Sequence, residues 1–161
     1  YRPGNYETPE NHYVTCPSGA TQRALALVYP LDGASAIGVS TTPVSAYSLP
    51  DLAQGFAVSE GRIYITASWA LAHSSLYIYD TAKIQRTEDV TVLGVTLPCY
   101  ALDDTALVKR ASLPPMAEEP LLLNGKLYVM NESACNTYKF GKFTGGAYCY
   151  ATPLSYFEDK D

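Results

Sequence analysis

Within GRIYITASWALAHSSLYIYD, residues 61 to 80, two runs alternate apolar and polar side chains, RIYITAS and SLYIYD, separated by about seven residues that break the rhythm. Successive side chains leave a strand on opposite faces, so a period of two predicts a half-buried strand. The stretch therefore reads as strand, loop, strand. The pattern recurs in FAVS, LLLN, KLYVMNE and VTVLGVTLPCYALD, and about a dozen short strands are expected in all. No segment carries a convincing helical period; YDTAKIQRTED is the one place where a helical turn is expected. The Ser/Thr/Pro/Gly-rich residues 33–43 and the charged residues 83–89 read as loops.

The chain also repeats itself. SLPDLAQGFAVSEGRIYITASWA (48–70) aligns without a gap on SLPPMAEEPLLLNGKLYVMNESA (112–134), with seven of 23 positions identical. Each copy reads as a Pro-containing bend, a strand, a tight turn and a returning strand. The turns fall at Glu60-Gly61 and Asn124-Gly125, where glycine accepts a positive φ without strain. A longer loop then leads to a Tyr-rich third strand. With a shift of seven residues SLYIYD (75–80) aligns on GAYCYA (146–151), and VYPLD (28–32) on CYALD (99–103). The expected organisation is an N-terminal extension over 1–22, a repeat domain over 23–154 and a C-terminal tail over 155–161.

Small antiparallel sheets that carry one motif in succession are how a β-propeller is encoded. The Gly-(Arg/Lys)-(Ile/Leu)-Tyr-(Ile/Val) turn, followed by LYIY or AYCY, resembles the blade pattern of secreted β-propeller repeat proteins. LPPMAEEPLLLNGKLYVMNESA in particular resembles the C-terminal blades of secreted bacterial proteins of that kind. The resemblance covers residues 23–154 and implies an all-β, propeller-like array of about three blades. A ring closes with four or more blades of about 40 residues, so the chain is expected to be part of a larger ring or assembly. The alternative for the same strands is a β-sandwich or small barrel.

Composition narrows the partners. Tyrosine dominates the aromatics, 14 against four Phe and one Trp, which suits strand surfaces where the ring packs and the hydroxyl stays wet. A net charge of −5 with no basic run argues against nucleic acid and against an anionic membrane. The apolar runs fall short of the roughly 20 residues that span a bilayer. Cys16, Cys99, Cys135 and Cys149 lack the spacing of a zinc site, so two disulfides and an extracellular or periplasmic home are expected. Three pairings are open, and the expected one joins Cys135 to Cys149 and Cys16 to Cys99. The chain opens at Tyr1 without a Met or a leader, which reads as a processed product or a fragment.

Candidate chemistry is sparse. Glu118 and Glu119 precede one strand of a hairpin, and Asn131-Glu132-Ser133 end the other, so the hairpin brings their ends together. Two close carboxylates share a proton, hold a cation such as Ca²⁺, or serve as acid and base in glycoside chemistry. The sister repeat has Gln54-Gly55 and Ala67-Ser68-Trp69 there, so the blade itself does not demand the charge. His12 and His73 stand in loops, and His73, Ser74 and Asp80 lack the context of a hydrolase triad. No nucleotide, metalloprotease or EF-hand motif occurs, and no cofactor or metal is expected. Asn131-Glu132-Ser133 is the one glycosylation sequon, which makes Asn131 a glycan candidate. Trp69 and the alternating Tyr77, Tyr79, Tyr148 and Tyr150 are candidates for stacking on sugar rings. Together these give a secreted binding or assembly module that contacts a partner chain or glycan through Trp69, His73, Asn131 and Glu132. The alternative is a propeller-scaffold hydrolase or lyase using Glu118, Glu119 and Glu132.

Overall fold

The computed structural model describes residues 8–132, 143 and 148–157 of the 161-residue chain. In chain order the strands are β1 (Val14–Thr15), β2 (Thr21–Gln22), β3 (Ala24–Val28), β4 (Ser45–Leu49) and β5 (Ala53–Ser59). Next come β6 (Arg62–Ala67), β7 (Ser74–Asp80), β8 (Gln85–Arg86), β9 (Val90–Val92) and β10 (Val95–Leu97). The last are β11 (Cys99–Ala101), β12 (Leu107–Leu113), β13 (Ala117–Leu123), β14 (Lys126–Asn131) and β15 (Tyr150–Pro153). The protein is all-β, as its alternating pattern implies. Short 3₁₀ turns stand at Glu10–His12, Thr81–Lys83 and Leu154–Tyr156, the second of them inside the expected YDTAKIQRTED stretch.

Two compact units interleave along the sequence. The first holds Tyr1–Asp51 and Lys83–Ala106, the second Leu52–Ala82 and Leu107–Asp161. In the first unit β3, β4, β11 and β8 form a mixed sheet, with β4 antiparallel to β3 and parallel to β11. β1–β2 and β9–β10 are two-stranded ribbons. Val14, Cys16, Ala46, Val90, Val92, Leu97, Cys99 and Ala101 form its core. Two expectations are corrected here. Residues 8–22, the described part of the expected N-terminal extension, are not an appendage, because Val14 of β1 and the adjacent Cys16 belong to that core and Gln22 Nε2 donates to Leu102 O at 2.7 Å. VYPLD and CYALD are not equivalent either: β3 and β11 flank β4 on opposite sides and run in opposite directions.

The second unit carries the repeat. An antiparallel meander of β5, β6, β7 and β12 forms one sheet, and β13, β14 and β15 form the other. The paired elements match residue for residue at a constant offset: β5 with β13 and β6 with β14 begin and end at equivalent positions. Glu60-Gly61 has φ of 49° and 74°, and Asn124-Gly125 has 51° and 69°, the double positive φ that a tight hairpin turn demands. Leu52 and Met116 share a positive φ, and their carbonyls accept the N–H of Ser68 and Glu132 respectively. Each first strand carries a register shift at the same place, Ala53/Gly55 and Ala117/Pro120. The third strands match too, but two residues away from the expected alignment. Thr81 N donates to Gly61 O and Leu154 N to Gly125 O, so Arg62 faces Asp80 as Lys126 faces Pro153. The equivalents of Tyr77 and Tyr79 are therefore Tyr150 and Thr152.

The two sheets of this unit stack face to face. Tyr64, Leu76 and Ile78 from one meet Ala117, Leu127, Val129 and Phe157 from the other. Phe157 is 7% exposed, so the described part of the expected C-terminal tail, residues 155–157, helps close the core. The closest approach is at Gly55, where an added Cβ would lie 2.3 Å from Pro120 Cδ and 2.6 Å from Glu119 Cα. Hydrogen bonds bind the seam: Thr66 Oγ1 donates to Glu118 O at 2.8 Å, and Ser74 Oγ accepts from Ala117 N at 3.1 Å.

Candidate functional site

Comparison of the two repeats locates a difference. On β7, the fourth strand β12 pairs from Ser74 to Tyr79. On β15, the equivalent strand, the described residues place no fourth strand. The space opposite β12 is a groove of 1090 Å³, lined on one side by Lys109, Arg110 and Ser112 of β12 and on the other by Thr152 and Pro153 of β15. An apolar recess of 220 Å³, walled by Leu113, Leu127, Val129, Tyr150, Thr152 and Phe157, also lies beside Leu113 and Thr152. β-Sheet geometry gives the chemistry of the edge. Because Leu154 N bonds to Gly125 O, alternation along an antiparallel ladder turns Thr152 and Tyr150 toward β14 and leaves the Ala151 N–H and C=O on the outer edge. Pro153 has no N–H and ends the edge where Asp80 lies beyond the reach of β12.

No protein-family model matches the chain, and neither a curated protein nor a solved structure does.

Aromatic side chains stand near this edge. Tyr148 is 68% exposed, with Tyr150 beside it at 6.4 Å between ring centroids. In the sister sheet Tyr77 and Tyr79 stack at 6.3 Å, Tyr79 is buried, and the Arg110 guanidinium covers Tyr77 at 5.0 Å. The expected sugar-stacking face is thus covered at Tyr77 and Tyr79, whereas Tyr148 is exposed. Trp69 is half-buried. His73 is exposed, and its Nδ1 lies 3.2 Å from Leu113 O.

The carboxylates divide. Glu118 is half-buried, and its carboxyl titrates above the usual range, first because burial penalises the charge and then because Glu132 adds repulsion. The two groups therefore feel each other. Glu119 is spent on structure, since its Oε2 accepts the Phe56 N–H at 3.3 Å. Glu132 is exposed, and none of the three carboxylates lines the grooves described above. Nor do they line a third cleft of 520 Å³ beside the Gly61 turn, where Arg62 and Asp80 pair at 3.0 Å. Among the described residues no three His, Cys, Asp or Glu side chains gather as metal ligands.

Asn131 corrects two expectations, glycan attachment and ligand contact. It is 1% exposed and its Nδ2 donates to Tyr148 O at 3.2 Å, so the atom that would carry a sugar is enclosed. It alternates with Leu127 and Val129 on the inward face of β14, a placement that the sequon does not reveal. The expected disulfide between Cys16 and Cys99 is not seen: both are free thiols buried in the first unit, Cys149 is a free exposed thiol, and its expected partner Cys135 lies outside the described residues. Among the described residues no helix is long and apolar enough to cross a membrane. Among the described residues β15 pairs with β14 alone, a feature that the sequence does not reveal.

Proposed function

We propose that the chain is a secreted binding or assembly module of propeller-like repeats, and that it accepts an extended strand from a partner chain, or from a further part of the same protein, along β15. One observation carries this reading. Two repeats agree in strands, turns and bulges, yet β7 has a fourth strand and β15 has none among the described residues. Unpaired N–H and C=O groups on a sheet edge are a template for strand addition, and alternate pockets beside it choose the side chains. The recess at Leu127, Val129 and Phe157 offers such a pocket. Tyr148, which is 68% exposed, extends the surface and suits a sugar ring, which keeps carbohydrate contact within the proposal.

Native and intact mass of protein isolated from its source test the reading. A companion chain, or a longer chain containing these residues, is the expected result; a compact monomer of 17.5 kDa would overturn it. Ala151→Pro, which removes the outward N–H, is expected to abolish the association while the far-ultraviolet spectrum is unchanged. A glycan array tests the sugar contact, which is refuted if nothing is retained. The hydrolase or lyase alternative draws on Glu118 and Glu132 alone, whose mutual repulsion is its one favourable observation. It requires loss of turnover on Glu118→Gln with folding intact.

A further inference from the structure

Cys16 and Cys99 stand 83 positions apart in sequence and meet in one core. Cys16 belongs to the turn that joins β1 to β2, and its Sγ lies 3.8 Å from Ser48 Oγ. Cys99 lies on the neighbouring strand to Ser48: β11 pairs in parallel with β4, Cys99 opposite Ala46 and Ala101 opposite Ser48. Ala46, Ser48, Cys99 and Ala101 are all fully buried at these positions. Cys16 therefore packs beside Ser48 and Cys99 opposite Ala46, two residues along β4, within one core. Each is also pushed above its ordinary range, mainly by burial, and the charge of Cys99 adds to the effect at Cys16.

Access is the second element. Cys99 is 0% exposed and Cys16 is 4% exposed. The turn that covers them is fastened at several points. Cys16 N donates to Ala20 O at 2.8 Å, Ser18 N to Asp103 Oδ2 at 2.8 Å, and Gln22 Nε2 to Leu102 O at 2.7 Å. A soluble oxidant reaches neither sulfur while these hold.

We propose that Cys16 and Cys99 form a disulfide whose presence is decided while the first unit folds and is locked once the β1–β2 ribbon closes. The proposal rests on the secreted reading only for its biological setting; the chemistry is a property of the fold. With glutathione disulfide as oxidant, one cysteine thiolate attacks a glutathione sulfur, breaks its S–S bond and releases one glutathione thiol. The second cysteine attacks the mixed disulfide and releases the other. Two protein thiols lose two protons and two electrons, and glutathione disulfide takes them up. Before closure both sulfurs are reachable; afterwards the attacking thiolate is both scarce and covered.

The experiment uses the full chain with Cys135→Ser and Cys149→Ser, so that only this pair remains. Reduced protein is refolded from denaturant in glutathione redox buffer, and in parallel already folded reduced protein is incubated in the same buffer. Intact mass and peptide mapping read the link. Refolding is expected to give a product lighter by two hydrogen atoms, with the Cys16 and Cys99 peptides joined. Folded protein is expected to oxidise at least about tenfold more slowly, since it must first open locally. Absence of the link after refolding, in protein whose circular dichroism is native, overturns the pairing. Equal rates in the two arms overturn the lock. Neither result depends on where the protein resides, so failure here is separable from failure of the secreted reading.

Discussion

Gly55→Ala is the sharpest test of how the two repeats pack. Gly55 lies on β5 with no positive φ, so backbone entropy alone predicts that alanine stabilises, by about 0.4–1 kcal/mol through the unfolded chain. Packing opposes this. The new Cβ would sit 2.3 Å from Pro120 Cδ, 2.6 Å from Glu119 Cα and 2.8 Å from Thr66 Oγ1, whereas ordinary contact begins near 3.4 Å. Two of these atoms belong to a proline ring and a backbone, which cannot swing aside. β13 must retreat by roughly an ångström, and a gap of that size forfeits about a quarter to a half of the dispersion between facing atoms. Overpacking of this kind costs about 1–3 kcal/mol, and a rigid neighbour puts the site at the upper end. The entropic gain offsets part, leaving a net loss of about 2 kcal/mol. In a chain of this length that lowers the melting temperature by about 4–8 °C. Gly33→Ala is the control, because no atom lies within 4 Å of its Cβ position and its φ is not positive; it is expected to be neutral or slightly stabilising. Urea denaturation followed by tyrosine fluorescence and circular dichroism gives both values. A Gly55→Ala protein as stable as the parent would refute the stacked arrangement of the sheets.

Three further outcomes follow from the same structure. Glu60 holds φ of 49° where the second repeat has Asn124, so Glu60→Asn is expected to stabilise by about 0.5–1 kcal/mol in urea melts; no gain would contradict the equivalence of the turns. Asp103 is buried; desolvation raises its titration, but hydrogen bonds from Thr105 and Ser18 outweigh it and hold the carboxyl below its usual range. Its contribution is thus present above about pH 4 and lost as pH falls through the depressed value; Asp103→Asn should cost about 2 kcal/mol at neutral pH, a difference that shrinks in acid. Glu118 has the opposite sign: its raised value means that the folded state is favoured below the ordinary glutamate pKa of about 4.3 and loses that advantage as pH rises through the folded value. Glu118→Gln is therefore expected to raise the urea midpoint at pH 7 and to match the parent at pH 4, and a difference independent of pH would exclude the coupling.

Local features were legible and distant pairings were not. The bounds of β5, β6, β13 and β14 follow from alternation and from the two Gly turns, because strand period and turn conformation are decided within a few residues. Likeness at Tyr-x-Tyr misplaced the third strand by two positions, since ring chemistry tolerates a slide that preserves the face. Only the bond from Leu154 N to Gly125 O fixes it. The parallel union of β11 with β4 joins residues some fifty positions apart, and nothing in either strand names its neighbour. At the candidate site the aromatic pair was visible, whereas the inward turn of Asn131 and the pairing of β15 with β14 alone among the described residues depend on tertiary packing.

The interleaving of the two units bears on biosynthesis. A growing polypeptide emerges in order, so β5, β6 and β7 leave the ribosome before β8 to β11, the strands that complete the first unit, and before β12, which completes their own sheet. Both bodies must wait half-made, and no single proteolytic cut separates one intact from the other. Dissection into halves is ruled out by the thread of the chain itself, and nascent β7 needs protection from aggregation until Leu107–Leu113 arrives to cover it.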